Sequence, residues 1–250
     1  MADLPLVLLH AFPVDARMWR PLRDGLTARH RLITPDQRGL GRTPLPETDR
    51  EPTLDDAARD VIALLDKLEL EQVVLGGCSM GGYVTMAVLR AAPERVAGLV
   101  LIDTKATADT PEAAQARRDL AGRAEAEGVG GWLAEAMLPN LVSASTRETR
   151  PDVVESLRGL IDSQQGAGVA WAARAMAARP DSTELLTAAD VPAVVIVGEE
   201  DGLTPPDAAQ ALAEALPKGE LVVVPQAGHL TPLEAPAMVS EAILGWWPFG

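Results

Sequence analysis

The chain has 250 residues, 47% of them hydrophobic and 23% charged, which is typical of a folded globular protein and excludes a disordered chain. Its formal net charge of -14 repels phosphate backbones and anionic lipid headgroups, so we expect no nucleic-acid and no membrane partner. One cysteine and three histidines provide too few side chains for a disulfide framework or a Cys/His metal cluster, and we expect no metal and no other cofactor.

The N-terminal stretch MADLPLVLLHAFP contains an apolar run that extends only from Leu4 to Leu9. No basic residue precedes this run and no small-residue cleavage site follows it, so it is too short to predict a signal peptide. No uninterrupted apolar stretch of the chain approaches the ~20 residues that span a bilayer. We therefore expect a cytoplasmic protein.

Short apolar runs alternate with longer amphipathic stretches along the first hundred residues. In chain order they are LPLVLLH and a helix over 15–26, RLITPD and a helix over 53–68, QVVLGG and a helix over 81–92, and then VAGLVLID. The short runs are apolar without alternation, which is typical of strands covered on both faces. This part of the chain therefore predicts repeated strand-helix units.

The middle of the chain, residues 104–186, has helix-like stretches and no convincing strand. The strand-helix rhythm then resumes with VPAVVIVG, a helix over 206–216, GELVVVP and a helix over 235–246. We predict an α/β protein with a doubly wound, mostly parallel sheet. Residues 1–103 and 187–250 form its core, and residues 104–186 form a helical insertion that packs over the strand ends as a lid.

Ligands of open α/β sheets bind beyond the carboxyl ends of the strands, where the stretch GGCSMGG places Cys78 beside Ser79. A nucleophile on a sharp strand-to-helix turn needs small residues two positions before and after it. Centred on Ser79, those residues are Gly77 and Gly81, whereas a turn centred on Cys78 would place a methionine there. The register therefore favours Ser79 as the nucleophile.

A serine hydroxyl needs a base to remove its proton, and imidazole is suited to this because it titrates near neutral pH. His30 precedes a predicted strand and therefore lies at the wrong end of the sheet. His10 ends the first strand and lines the site in this interpretation. His229 follows the last predicted strand, where a loop can return it over Ser79, and we predict that it is the base.

The base needs an acid that accepts a hydrogen bond from its second ring nitrogen. Asp201 follows one predicted strand and precedes a helix, which favours it for this role. Glu199 and Glu200 are adjacent alternatives, and Asp103, after the preceding strand, is a further one. The residues alone leave this choice open.

The sequence resembles the α/β-hydrolase family over essentially its whole length. The matching stretches are HAFP (10–13), DQRGLGRT (36–43), GCSMGG (77–82), GEEDGLTP (198–205) and AGHLTPLEAP (227–236). The resemblance implies Ser79 as nucleophile, Asp201 as acid and His229 as base. It also implies an oxyanion hole formed by the backbone N–H groups of Phe12 and Met80, and it makes no cofactor necessary.

Two departures from the family pattern stand out. The family usually has His-Gly where this chain has His10-Ala11, and the chain begins at the strand that leads to His10, without the two strands that many members place before it. We therefore expect about six strands, with a sheet edge near the start that needs protection. The stretch 36–43 is interpreted as structural, with Arg38 as an ionic anchor.

Among hydrolases of this family, the sequence looks most similar to 3-oxoadipate enol-lactonases, which implies an ester or lactone of a small molecule as substrate. Trp132, Met137 and Trp171 in the predicted lid, together with His10, are candidate substrate-binding residues. No arginine or lysine is identified for a substrate carboxylate. Carboxylesterase or methyl esterase activity, cofactor-free perhydrolysis and a non-catalytic binding protein on the same fold stay open as alternatives.

Overall fold

A single parallel sheet organises the chain in a computed structural model, which describes residues 4–249. Its six strands are β1 (Leu6–Leu9), β2 (Leu32–Ile33), β3 (Val73–Cys78), β4 (Val96–Ile102), β5 (Ala193–Gly198) and β6 (Gly219–Val224). They lie side by side in the order β2-β1-β3-β4-β5-β6, and every neighbouring pair is parallel. The predicted fold class and the predicted number of strands are confirmed.

Burial follows the position of each strand in the sheet. Every residue of β1, β3 and β5 is buried, and β4 has only one partly exposed residue. The edge strands β2 and β6 are largely half-buried or exposed, since each has a neighbour on one side only. The predicted edge near the start of the chain is β2, and its length of two residues offers little backbone for pairing with another chain.

Twelve α-helices flank the sheet within the described part of the chain. They are α1 (Arg20–Thr27), α2 (Leu54–Lys67), α3 (Met80–Ala91), α4 (Pro111–Glu127), α5 (Leu133–Leu141), α6 (Ala144–Thr149), α7 (Pro151–Asp162), α8 (Gly166–Ala177), α9 (Thr183–Thr187), α10 (Pro206–Ala215), α11 (Thr231–Glu234) and α12 (Pro236–Trp246). The start of α2 shows why these segments are helical: the Thr53 side chain caps the N–H of Asp56, and acidic residues occupy the first turn.

Residues 104–186 form helices α4 to α9 and no strand, as the sequence predicts. This helical segment contacts the core through the loop over residues 36–43. There Gly39 and Gly168 of α8 touch so closely that a Cβ on Gly168 would collide with the Gly39 carbonyl oxygen. Beside them, the guanidinium of Arg38 lies 5.1 Å from the ring centre of Trp171 and also pairs with Asp60 of α2. The role of residues 104–186 as a lid stays a prediction.

The junction between β3 and α3 is packed through its glycines. A Cβ on Gly77 would collide with the backbone of Gly81, and a Cβ on Gly81 would collide with the carbonyl oxygen of Leu9 in β1. A Cβ on Gly82 would approach the Thr104 side chain to 2.5 Å. Only glycine lets α3 start this close to the sheet, which positions the residue between β3 and α3 at the carboxyl edge.

Gly81→Ala tests this packing. We expect it to destabilise the protein by at least ~1–3 kcal/mol, because the new methyl group overlaps backbone that has no room to move. The matched control is Gly122→Ala in α4, where a Cβ would meet no atom within 4 Å. That change replaces a helical glycine with a better helix former and should stabilise by ~0.5–1 kcal/mol. Urea unfolding of both variants provides the measurement, and equal stability of the two would contradict the packing argument.

Candidate active site

Ser79 occupies the turn between β3 and α3 in a backbone conformation that non-glycine residues rarely adopt. Its φ is 52° and its ψ is -111°. The conformation is held from both sides, since the Ser79 N–H donates to the carbonyl of Ile102 at 2.9 Å and its own carbonyl accepts from the Thr104 hydroxyl at 2.9 Å. The side chain therefore projects from a strained and well-supported turn at the carboxyl edge of the sheet.

The structure brings Ser79, His229 and Asp201 into one line of hydrogen bonds. His229 Nε2 lies 2.8 Å from Ser79 Oγ, and His229 Nδ1 lies 2.8 Å from Asp201 Oδ2. The side chains of His229 and Asp201 are almost fully buried, whereas Ser79 is partly exposed. Residues from three separate parts of the chain thus meet in the order that a serine nucleophile, its base and an orienting acid require.

Four hydrogen bonds hold the Asp201 carboxylate. Besides His229, the Thr204 hydroxyl donates to Oδ2 at 2.6 Å, and the backbone N–H groups of Leu203 and Thr204 donate to Oδ1 at 2.8 and 2.9 Å. Burial alone would raise the pKa of Asp201, but the hydrogen bond and charge of His229 and the Thr204 bonds outweigh it and lower that pKa below its usual value. Asp201 is therefore ionised at neutral pH.

Asp103, the alternative acid, makes none of its described hydrogen bonds to His229. Its Oδ2 accepts from the N–H and the hydroxyl of Thr231 at 2.9 and 2.8 Å, and its Oδ1 accepts from the N–H of Gly198 at 3.2 Å. Burial, and next the charge of Asp201, raise the pKa of Asp103 well above its ordinary value. Asp103 ties the loop that follows His229 to the end of β5, and this geometry favours Asp201 as the acid.

Cys78 is fully buried beneath the turn. Its Sγ lies 3.7 Å from Asp103 Oδ2. Burial, with the negative charges of Asp103 and Asp201, raises the pKa of the Cys78 thiol well above its ordinary value. The thiol is therefore protonated and a weak nucleophile, which supports the choice of Ser79 over Cys78 made from the register.

The backbone N–H groups of Phe12 and Met80 are free of acceptors in the described residues 4–249. Met80 opens α3, so its N–H has no acceptor inside the helix. The neighbouring Ala11 N–H is engaged by the Met18 sulfur at 3.2 Å, which leaves the Phe12 N–H as the unused donor of this loop. The two free donors are the pair that the sequence resemblance assigns to an oxyanion hole, and that assignment stays a prediction.

His10 is fully buried, with both ring nitrogens engaged. Nε2 accepts from the Gln37 N–H at 2.9 Å, and Nδ1 lies 2.9 Å from the Ala11 carbonyl oxygen. The Gln37 side chain also donates to the His10 carbonyl at 2.7 Å. Burial lowers the pKa of His10, so the ring is neutral. This geometry supports a role in holding the Phe12 loop and gives no support to the predicted substrate contact.

The three predicted lid contacts have different environments. Trp132 is partly exposed and donates through Nε1 to the Gly128 carbonyl at 2.9 Å, whereas Met137 is partly buried against the hydrophobic core. Trp171 is buried and packs against Arg38. None of the three is hydrogen-bonded to the Ser79 line, and their contact with a substrate stays a prediction.

Glu234 is a site residue to which sequence reasoning gave no role, although it lies in the quoted motif AGHLTPLEAP. Its buried carboxylate accepts from the Gly228 N–H at 2.9 Å and from the Ser143 N–H at 2.8 Å. It thereby joins the residue before His229 to the start of α6. An acid five residues after the predicted base was the only sequence signal available, and it does not reveal a partner 91 positions away.

Comparison with known proteins decides the family. Residues 5–236 match the family described as the alpha/beta hydrolase fold. This chain is an α/β-hydrolase.

Three relatives illustrate the range of the family. The α/β-hydrolase chain is 44% identical to a thermophilic esterase from Thermogutta terrifontis solved with malate bound, with a TM-score of 0.93 over 97% of this chain and 89% of that one. It is 28% identical to 3-oxoadipate enol-lactonase 2 of Acinetobacter baylyi, over 97% of this chain and 88% of the relative. It is 31% identical to the dihydrolipoyllysine-residue acetyltransferase component of an acetoin cleaving system from Pseudomonas putida, over 97% of this chain.

The chain spans 63% of the length of the Pseudomonas acetyltransferase component, so that relative is a considerably longer protein. Family membership together with the esterase and enol-lactonase relatives supports hydrolase activity for this α/β-hydrolase. Among residues 4–249, none of the helices combines the length and the apolar character that a membrane crossing requires.

Asp201→Asn and Asp103→Asn separate the two acids. We expect Asp201→Asn to lower kcat by roughly 10³–10⁴-fold, because it removes the negative charge and places an amide NH₂ where an oxygen accepts from His229 Nδ1. Asp103→Asn should retain most activity, since Asp103 makes none of its described hydrogen bonds to His229. It should lose ~1–3 kcal/mol of stability, because an amide NH₂ replaces one of the oxygens that accept from Thr231 and Gly198. Initial rates and thermal melting of each variant provide the measurements. A larger rate loss in the Asp103 variant would reverse the assignment.

Proposed function

We propose that this α/β-hydrolase is a serine hydrolase that cleaves an ester or lactone bond of a small molecule through an acyl-enzyme. The observation that carries the proposal is the continuous line from Asp201 through His229 to Ser79, with both hydrogen-bonded distances at 2.8 Å. The burial of the acid and the base, and the partial exposure of the serine, fit a site in which the acid and the base are shielded from solvent and the nucleophile is accessible to a substrate.

The first step transfers a proton as the nucleophile attacks. Asp201 is ionised and accepts only, so the Nδ1 of His229 carries the proton between them and Nε2 offers its lone pair to the Ser79 hydroxyl. Ser79 Oγ bonds to the carbonyl carbon while its proton moves to Nε2. Asp201 then stabilises the imidazolium that forms.

The attacked carbonyl oxygen becomes an oxyanion, and the free N–H groups of Phe12 and Met80 are the proposed donors to it. Each such donor is worth about 10²–10³ in rate. When the tetrahedral intermediate collapses, the bond to the leaving oxygen breaks and that oxygen takes the proton from His229. Water then attacks the acyl-enzyme with His229 as base, which releases the acid and restores Ser79.

Ester and lactone cleavage differ only in whether the leaving alcohol stays attached to the acyl group. The similarity to the Thermogutta esterase supports an open-chain carboxylic ester as the first candidate. The similarity to the Acinetobacter enol-lactonase supports an enol-lactone as the second. Ester cleavage and lactone cleavage use the same residues in the same order. A comparison of substrates can therefore distinguish the two activities, whereas variants of these residues cannot.

Ser79→Ala tests the proposed nucleophile. We expect it to lower the hydrolysis of 4-nitrophenyl butyrate by at least about 10³-fold, because no other group of the site can form the acyl-enzyme. The matched control is the adjacent Cys78→Ala, which should retain most activity since the buried thiol only packs. Labelling with a fluorophosphonate probe, read by intact mass, should follow the same pattern. Loss of both ester hydrolysis and fluorophosphonate labelling in a folded Cys78→Ala protein would overturn the choice of Ser79 as nucleophile.

A substrate panel tests the class of bond. Short aryl esters, methyl esters, saturated lactones and enol-lactones are compared by kcat/KM, with and without hydrogen peroxide as the acceptor in the second step. We expect hydrolysis of the aryl ester in every case where Ser79 is intact. A folded wild-type protein that hydrolyses no member of the panel and takes up no fluorophosphonate would contradict the proposed function.

A further inference from the structure

A small cavity of about 80 Å³ lies along α3, lined from Tyr83 in the first turn of the helix to Arg90 near its end. None of Ser79, Asp201 and His229 lines it. Its polar lining residues are Thr53, Asp55, Tyr83, Arg90, Lys105, Arg179 and Ser182. The cavity is several times larger than the ~10–15 Å³ that holds one water molecule, so it has room for a group of a few heavy atoms. Three of these seven polar residues are cations.

Donors outnumber acceptors around this cavity. Lys105 is partly buried, and within the described residues its ammonium has no hydrogen bond and no ion pair. Tyr83 is buried, and its hydroxyl makes no hydrogen bond within the same part of the chain. Arg179 is 7% exposed, and its Nε is buried without a hydrogen-bond partner. A buried donor such as Arg179 Nε is normally satisfied, and the Lys105 ammonium and the Tyr83 hydroxyl line the same cavity without a protein acceptor in residues 4–249. Together the three donors indicate a site for an acceptor.

The carboxylates of Asp55 and Asp109 are already engaged by arginines. Asp55 is paired with Arg90 at 3.1 Å, and Asp109 is shared by Arg117 at 2.6 Å and Arg179 at 2.8 Å. Lys105 is therefore an additional positive charge. Burial lowers the pKa of Lys105, and the charges of Arg179 and Arg117 lower it further while Asp109 and Asp201 oppose them. The protein as a whole is negative, with a net charge of -14, but this cavity has more positive than negative groups. A partly buried positive charge is stabilised by an anion, so we expect an anion to bind there.

The cavity is adjacent to the nucleophile along two segments of backbone. Tyr83 belongs to the first turn of α3, and its N–H donates to the Ser79 carbonyl at 3.3 Å. Lys105 follows Thr104, whose hydroxyl donates to the same carbonyl at 2.9 Å. The charge of Asp201 acts on both Tyr83 and Lys105. A group bound between these two side chains would thus contact the two segments that hold the Ser79 carbonyl.

We propose that Tyr83, Lys105 and Arg179 form a carboxylate-binding site next to Ser79. A carboxylate has two oxygens that can accept from the lysine ammonium and the tyrosine hydroxyl while its charge is balanced by Lys105 and Arg179. The carboxylate comes either from the substrate, as a second acid group of the ester or lactone, or from a free small acid. The first source rests on the proposed function, and the second does not.

Paired substrates and paired variants test the site. Mono-4-nitrophenyl succinate and 4-nitrophenyl butyrate have acyl chains of equal length and differ by one carboxylate. In the wild type we expect kcat/KM to favour the succinate ester, and Lys105→Met to lower the ratio of the two values by about 10–100-fold, the effect of losing one charge-assisted hydrogen bond. Lys105→Gln is the second neutral variant. The matched control is Lys67→Met, an exposed lysine at the end of α2, which should leave the ratio as it is.

A binding measurement keeps the site separate from catalysis. Succinate should raise the melting temperature of the Ser79→Ala protein, which cannot turn over a substrate, and should fail to do so when Lys105→Met is added. Competition between succinate and 4-nitrophenyl butyrate in the wild type assigns the site to the substrate's own carboxylate. If succinate stabilises the protein or inhibits hydrolysis without competing with 4-nitrophenyl butyrate, the site binds a free acid.

One combined result would overturn the carboxylate site. It is an unchanged substrate ratio in both Lys105 variants together with equal stabilisation by succinate, or none, whether Lys105 is present or replaced. A wild type that hydrolyses neither ester gives no substrate ratio, and the substrate panel and the fluorophosphonate probe then decide on the proposed function. In that case the succinate melting experiment alone decides on the site.

Discussion

The contact between β1, β3 and the start of α3 is the constraint on which the site depends. Gly77 touches Gly81, and Gly81 touches the Leu9 carbonyl, so the helix begins directly against the sheet. This closeness forces Ser79 into a left-handed backbone conformation and turns its hydroxyl toward the carboxyl edge. It also leaves the Met80 N–H at an unpartnered helix start, so the same contact positions the nucleophile and one proposed oxyanion donor.

Three buried carboxyl groups surround His229, and their partners give them different properties. Asp201 receives its hydrogen bonds from a histidine, a hydroxyl and two N–H groups, and its pKa is lowered. Asp103 is more deeply buried and is repelled by Asp201, and its pKa is raised. Glu234 is bound by two backbone N–H groups on either side of the site. The same chemical group, a carboxyl, thus orients the base in Asp201, holds a loop in Asp103 and joins the helical segment to the core in Glu234, because the environment decides its role.

The environment also decides the role of Lys105, which lines the proposed carboxylate-binding site with Tyr83 and Arg179. Lys105 follows β4 and Tyr83 lies in the first turn of α3, and both segments are hydrogen-bonded to the Ser79 carbonyl. Sequence reasoning found no lysine or arginine for a substrate carboxylate, since Lys105 is preceded by nothing that resembles a binding motif. Within the described residues, the nearby carboxylates pair with Arg90, Arg117 and Arg179, and only these ion pairs show that Lys105 is an additional positive charge.

The sequence by itself determined the six parallel strands, the helical segment between β4 and β5 and the small residues around Ser79. These follow from local signals, because apolar runs, glycine spacing and helix periodicity act over a few neighbouring positions. Only the tertiary structure decided that Asp201 and not Asp103 faces His229, that His10 is held by Gln37, and that Lys105 has no ion pair within residues 4–249. Such relations join residues 25 or more positions apart, and their energies come from burial and hydrogen-bond partners that no local pattern encodes.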